Sequence, residues 1–159
     1  MNESYNYENE TLKHKIRVFQ LMQLAVKELL QRAAYHDDSK LHEPEKVWFE
    51  EWTPKLAATT YGSKEYEDML KELKPALEHH YTNNAHHPEH FDNGIQGMDL
   101  FDIIEMTFDW LAAVERHNDG DIYKSLKINK ERFSMSEELY IILYNTYKKI
   151  EKNGEYKKP

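Results

Sequence analysis

The pair His36-Asp37 lies in the stretch Tyr35-His36-Asp37-Asp38-Ser39-Lys40, at the C-terminal end of a long apolar-periodic segment. Neutral imidazole and carboxylate are both good ligands for a divalent cation. Adjacent helical side chains point about 100° apart, so such a pair at a helix end can close on one ion from neighbouring directions. Alone, the dipeptide is a weak signal, because many His-Asp pairs are ordinary surface residues. It gains weight if other segments supply the missing ligands.

Three further positions could do so. Five of the nine histidines fall within residues 79–90, as His79-His80, His86-His87 and His90, interleaved with Asn83 and Asn84. The plain reading of this stretch is a polar surface connection, and it suffices for His90, Phe91 and Asp92. The density of paired histidines at a helix end and in the following loop is nevertheless what an open metal site draws on. His14 lies on an apolar stripe of the first helical segment, where a core histidine satisfied by a hydrogen bond is the alternative to a ligand. Asp109 sits between Phe108 and Trp110, in surroundings where a carboxylate rarely occurs without a cation.

The composition restricts the chemistry. There are no cysteines, so disulfides and thiolate metal sites are excluded and any metal must use His, Asp, Glu and water. A formal net charge of −8 argues against a general nucleic-acid binder. The polar, acidic N-terminus is not a secretory signal, and no apolar run approaches the roughly 18 residues that span a bilayer. A cytoplasmic protein without membrane partners is the expectation. At 159 residues, with 40% hydrophobic and 13% aromatic residues, the chain suits one domain, 1–159, with its core over about 11–150. The aromatics also leave room for a homodimer face.

The elements that must position these residues read as helices. Residues 1–9 form a polar arm, pinned by Tyr5 or Tyr7. From Thr11, the residues Leu12, Ile16, Phe19, Met22, Val26, Leu29, Leu30 and Ala33 recur at helical spacing, and Val18, Leu21 and Ala25 add a second stripe. This predicts a central helix with His14 at least partly buried, or two helices broken near residues 24–26. Pro44 opens a short aromatic helix ending near Thr53-Pro54, and a loop surrounds Gly62. Lys64 to Tyr81 is helical, with a kink or restart at Pro75. Gly94 and Gly97 mark a turn before a helix from Met98 to Val114. Its expected apolar face is Leu100, Ile103, Ile104, Thr107, Phe108, Leu111 and Val114, beside an acidic stripe of Asp102, Glu105 and Asp109 read as solvent-facing except at Asp109. A turn at residues 118–121, a short helix over 122–130, a final helix capped by Ser134 or Ser136, and a polar tail over 153–159 complete the chain. The final helix is expected to pack through Leu139, Ile142, Leu143, Tyr147 and Ile150.

The ordered set His14, His36-Asp37 and Asp109 resembles the HD superfamily of all-helical, metal-dependent phosphohydrolases. The segments "HKIRVFQLM…AAYHDDSK" and "EMTFDWLAA" carry the resemblance. It is similar to an uncharacterised phage and bacterial branch that combines a His-Lys pair, a His-Asp-x-Ser-Lys segment, paired histidines around asparagine, and a Glu-Met-x-x-Asp-Trp helix. Here these are His14-Lys15, His36 to Lys40, His79 through His87, and Glu105 to Trp110. The likeness covers residues 11–113 and leaves out the last helix.

The resemblance implies an all-α, HD-type bundle of about six to eight helices. It also implies that His14, His36, Asp37 and Asp109 ligate one divalent metal: Mn, Co, Mg, Zn or Fe. A second metal would draw on His80 with His86 or His87, each histidine pair (His79-His80, His86-His87) contributing one ligand and one bystander. The implied activity is hydrolysis of a nucleotide or another small phosphorylated substrate by metal-activated water. Lys40 is a candidate phosphate contact, or a salt-bridge partner of Asp37 or Glu45. Glu45 or Asp38 is a candidate for orienting the water. Asn83 or Asn84 is a candidate substrate contact, or a helix or turn cap. A di-iron oxygenase and a non-catalytic nucleotide- or metal-binding accessory protein are the competing readings.

Overall fold

In the computed structural model, residues 6–60, 63–116 and 120–153 are described. All the described regular structure is helical: α1 (Tyr7–Tyr35), α2 (Glu45–Ala57), α3 (Lys64–Glu72), α4 (Lys74–Asn83), α5 (Leu100–Glu115), α6 (Ile122–Arg132) and α7 (Glu137–Lys152). Short 3₁₀ turns occupy Asp38–Leu41, Pro88–His90 and Gly94–Gly97. Seven α-helices and no strand among the described residues match the all-α expectation and its helix number. No described helix is long and apolar enough to cross a membrane. Tyr5, Gly62, Asn118, Asp119 and the tail from Gly154 lie outside the described residues.

The chain divides into two compact units, residues 1–36 and 37–159. The first is a single helix. Asn6 caps α1 by accepting from the Asn9 amide at 3.1 Å, and the helix runs without a break through residues 24–26. Local Lys13–Glu10 and Arg32–Glu28 pairs, at 2.8 and 2.9 Å, support it from its own surface. Taken by itself, this helix buries none of its described residues, His14 included, so the partial burial expected for His14 is not supplied within this unit. The physical reason within this unit is simple: one helix has no second element with which to enclose a face.

The second unit has a core of Met106, Trp110, Leu111, Ile122, Leu126, Met135, Leu143 and Tyr147. The helix boundaries follow local chemistry. Pro75 marks a restart: α3 stops before Leu73 and α4 begins at Lys74, with the proline in its first turn, where a missing N–H costs nothing. Asp99 and Asp102 form a capping box on α5: Asp99 Oδ1 accepts from the Phe101 and Asp102 amides, and Asp102 Oδ2 accepts from the Asp99 amide. Ser136, of the two serines considered, caps α7 by accepting from the Leu139 amide at 3.2 Å. Gly97 is needed for close packing, since a Cβ there would overlap Phe91 and Asn93. α2 extends through Pro54 to Ala57, three residues past the stop expected there.

The inward face of α5 keeps Ile103, Thr107, Leu111 and Val114 from the one its sequence suggests and is turned partly toward Met106 and Trp110. Met106, Trp110 and Leu111 enter the core, whereas Leu100 and Phe108 remain exposed. Tyr147 of α7 explains part of this register. It is buried and donates its hydroxyl hydrogen to the Thr107 carbonyl at 3.0 Å, which pins α7 over Thr107. Ile142, expected to face inward, is exposed. The rotation turns Glu105 and Asp109 away from open solvent.

Candidate metal centre

The second unit brings His80, His86 and His87 together between the start of α2, the end of α4 and one side of α5. The gathering starts at Asp37, whose backbone lies in the left-handed region at φ 60°. Aspartate tolerates that conformation better than most residues, and a non-glycine there is a feature of turns and strained functional sites. The 3₁₀ turn that follows brings Ser39 and Lys40 back beside it. Lys40 Nζ donates to Asp37 Oδ2 at 2.6 Å and leaves Oδ1 facing the histidines. The Lys40 ammonium also lies over the Phe49 ring, 5.2 Å from its centroid.

Asp37 Oδ1 is 3.2 Å from His80 Nε2 and 3.4 Å from His86 Nε2, and His80 Nε2 is 3.0 Å from His87 Nε2. One ligand atom from each of Asp37, His80, His86 and His87 lies within 4.8 Å of all the others. Metal–ligand bonds of about 2.0–2.1 Å in a tetrahedron imply ligand–ligand edges of about 3.3 Å. The three close distances bracket that edge. His80 and His86 are almost fully enclosed, at 1% and 2% exposure, so bulk water does not separate the four groups.

The outer nitrogens explain why the inner ones point the same way. His80 Nδ1 faces Glu45 Oε2 at 2.9 Å, and His86 Nδ1 faces Glu105 Oε1 at 3.1 Å. A carboxylate accepting the Nδ1 hydrogen selects the tautomer whose Nε2 carries a lone pair. Two such lone pairs aimed at the Asp37 carboxylate make an arrangement that a cation stabilises. Glu45 is completely buried at the first residue of α2, where the helix dipole favours negative charge. Its Oε1 accepts from His79 Nδ1 at 2.7 Å, and Oε2 also accepts from the Ser39 hydroxyl at 2.9 Å. Asn84, the C-cap of α4, donates to Ser39 Oγ at 2.8 Å and to the His80 carbonyl at 2.8 Å. Phe49 packs edge-on against the His80 ring.

The charge states suit ligation. Burial opposes ionisation of Asp37, but its contacts with the His80 and His86 rings, together with the Lys40 ammonium, outweigh it and hold the carboxyl well below the usual carboxylate range. Burial, reinforced by neighbouring His86 and His80, pushes the His87 imidazole down from 6.5 to about 3. Metal binding needs these forms, a carboxylate and a neutral imidazole. The His87 shift also has a consequence for the metal-free fold. Between pH 6.5 and about 3 the unfolded chain binds this proton and the folded chain does not. The contribution is therefore complete above pH 6.5 and is lost as the pH falls toward 3. Thermal denaturation in chelator should show a midpoint falling through this window, and His87→Gln should make the fall shallower. An equal slope in both proteins would refute the assignment.

Of the residues singled out from sequence, Asp37, His80, His86 and His87 come together. Asp109 offers an oxygen within 4.8 Å of one from Asp37. Lys40 takes its salt-bridge role on Asp37, and Asn84 takes its capping role while also bracing Ser39. His79 lies outside these sets, is 42% exposed at its side chain, and turns to Glu45. His36 closes the first unit, and His14 lies within α1 of that unit. Glu105 and Ser39 were missed. Glu105 lies four residues before Asp109, on the same helix face, and that spacing to a carboxylate already suspected of burial was the available signal.

A family model covers residues 3–152, and the chain belongs to that family, DUF5662, described as a family of unknown function. No curated protein and no solved structure matches the chain.

Proposed function

We propose that this DUF5662 protein is a metal-dependent phosphohydrolase acting on a nucleotide or another small phosphorylated molecule, with its centre on Asp37, His80, His86 and His87. The observation that carries the metal assignment is the convergence of Asp37 Oδ1 with three imidazole Nε2 atoms, two of which have carboxylates behind their Nδ1 atoms. The hydrolase assignment leans on the resemblance of His14, His36-Asp37 and Asp109 to the HD ligand order. On that resemblance His14, His36 and Asp109 are proposed as additional ligands, and Asp109 has support from its proximity to Asp37.

A divalent ion at such a site acidifies a bound water and neutralises charge that develops on phosphorus. The protein's own groups have separate tasks. Glu45 and Glu105 hold the rings of His80 and His86 in the ligating tautomer. Lys40 orients the Asp37 carboxylate and supplies a cationic head suited to a substrate phosphate oxygen. The full enclosure of Glu45 makes it a positioning residue, not a group that orients water. A soluble location and a small-molecule partner accompany this reading.

The test is elemental analysis of protein purified without chelator, followed by a phosphatase screen with Mn²⁺, Co²⁺, Mg²⁺ and Zn²⁺. Close to stoichiometric metal, and hydrolysis of nucleoside phosphates or phosphodiesters that Asp109→Ala reduces, are expected. Bound metal with no hydrolysis of any phosphate ester would remove the hydrolase assignment and leave the metal centre. The three clustered histidines favour one competitor, an oxygenase holding two irons. Co-purified iron with an oxygen-dependent optical signal would select it.

A further inference from the structure

The three histidines of the centre are not held alike. Behind His80 and His86 stand the carboxylates of Glu45 and Glu105, at 2.9 and 3.1 Å. No carboxylate takes that place behind His87 among the described residues. Its Nε2 faces His80, and its ring packs on the ring of Tyr81, 4.9 Å from centroid to centroid. A ligating imidazole needs its orientation fixed from outside the coordination sphere, and where no hydrogen bond does so, packing must.

Tyr81 and the loop that carries His87 are fastened to α6 by one side chain. Arg132, the last residue of α6, donates from Nη2 to Glu89 Oε1 at 2.6 Å. Glu89 lies two residues beyond His87, in the 3₁₀ turn Pro88–His90. The same guanidinium stands beside the Tyr81 hydroxyl: burial and Glu89 push that hydroxyl up from its usual range, and Arg132 pulls it the other way. From the same turn, His90 Nδ1 donates to the Tyr81 carbonyl at 2.9 Å. His87 is thus held between a ring and a turn that share Arg132 as their anchor. We propose that Arg132 is a positioning residue of the metal centre, fixing the His87 ring through Glu89 and Tyr81 as Glu45 and Glu105 fix the other two rings. The inference rests on the metal centre proposed above, and every residue it uses belongs to the second unit.

The ordinary reading of Arg132 is a surface ion pair. Its side chain is 51% exposed, and such a pair by itself contributes little to stability. Its leverage comes from where it is attached. A planar guanidinium holds a carboxylate and a hydroxyl in one fork, which the point charge of a lysine does not reproduce. Arg132 also lies beyond residues 11–113, so the HD resemblance assigns it no role.

Cobalt(II) added to the full chain reads affinity and geometry together, because its visible absorption depends on the number and arrangement of its ligands. Arg132→Met should weaken Co²⁺ binding by about tenfold, the low end of what loss of an outer partner of a ligating histidine costs, and should change the visible band. Arg132→Lys, which keeps a cation for Glu89, should recover part of the affinity. Glu89→Gln removes the pair from the loop side without touching α6 and should weaken binding in the same direction, so the inference stays testable if an α6 variant fails to fold. Urea denaturation in chelator should leave all three variants near the wild type, as suits an exposed pair. A wild type that takes up no Co²⁺ overturns the centre and this inference with it. Wild-type affinity and spectrum in both Arg132→Met and Glu89→Gln overturn the inference alone and leave the centre. Weaker binding with an unchanged spectrum and an equal loss of stability in chelator also overturns it, since Arg132 would then hold the fold and not the ring.

Discussion

Replacing His80 with alanine is expected to lower divalent-metal affinity by about two orders of magnitude or more, while His79→Ala, one residue away, leaves it nearly unchanged. The contrast follows from where the two rings go. His80 is buried and shares the Asp37 Oδ1 and His87 Nε2 neighbourhood, whereas His79 is 42% exposed at its side chain and turned to the outer oxygen of Glu45. Structural zinc binding to four ligands is worth about 10–16 kcal/mol, so an even share is roughly 3 kcal/mol per ligand, or a factor of about 100. Competition against a fluorescent chelator measures both variants directly. Folding should be followed by circular dichroism in the same samples, since His80→Ala also removes the ring against which Phe49 packs. Equal metal affinities for His79→Ala and His80→Ala would sink the proposed centre.

Glu45 should give the second large effect, and in two separable measurements. Its buried carboxylate is engaged by His79, His80 and Ser39. Glu45→Gln keeps the volume but presents an amide hydrogen where one of these donors needs an acceptor. Loss of an outer carboxylate behind a metal-bound histidine costs about 10–100-fold in metal affinity. Leaving a buried donor without its acceptor costs about 1–3 kcal/mol of stability. Glu45→Ala should be worse on both counts, because it also leaves a cavity. Urea denaturation in chelator reads the fold alone, and metal titration reads the site. A Glu45→Gln protein that unfolds at the wild-type urea concentration and binds metal equally well would show that Glu45 neither supports the fold nor orients His80. If only the metal term moves, Glu45 is a positioning residue in the strict sense.

Both variants probe contacts between residues far apart in the chain, and that is where sequence reasoning had least purchase. Helices were legible because their causes are local. Apolar recurrence marked α1 and α5, Pro75 marked a restart, and Ser136 was one of two serines read as the cap of α7. The chemical character of the centre was legible for a similar reason. A cysteine-free chain with five histidines in residues 79–90 and a His-Asp pair at a helix end offers few other residues for a metal.

Which histidines converge was decided elsewhere. Helical spacing already favoured His80 over His79, since His80 follows Leu73, Ala76 and Leu77 on one face, whereas His86 and His87 were equivalent. The helical rotation of about 100° between neighbours sends one ring of the first pair inward and the other outward, and the position of α4 against α2 is what brings the inward ring to Asp37 and Glu45. The second pair lies in a loop, where no period applies, and both rings turn in: His86 reaches Glu105 and His87 reaches His80. The register of α5 likewise depended on the contact of Tyr147 with the Thr107 carbonyl, 40 residues apart in sequence. The sequence by itself determined the helical elements, the absence of thiolate chemistry and the stretch in which the ligands would be found, since each depends on composition or on neighbours within a turn or two. The tertiary structure alone decided that Asp37, His80, His86 and His87 converge and that the carboxylates of Glu45 and Glu105 stand behind two of the rings. Those contacts close chain segments tens of residues long, and packing, not local spacing, selects among them.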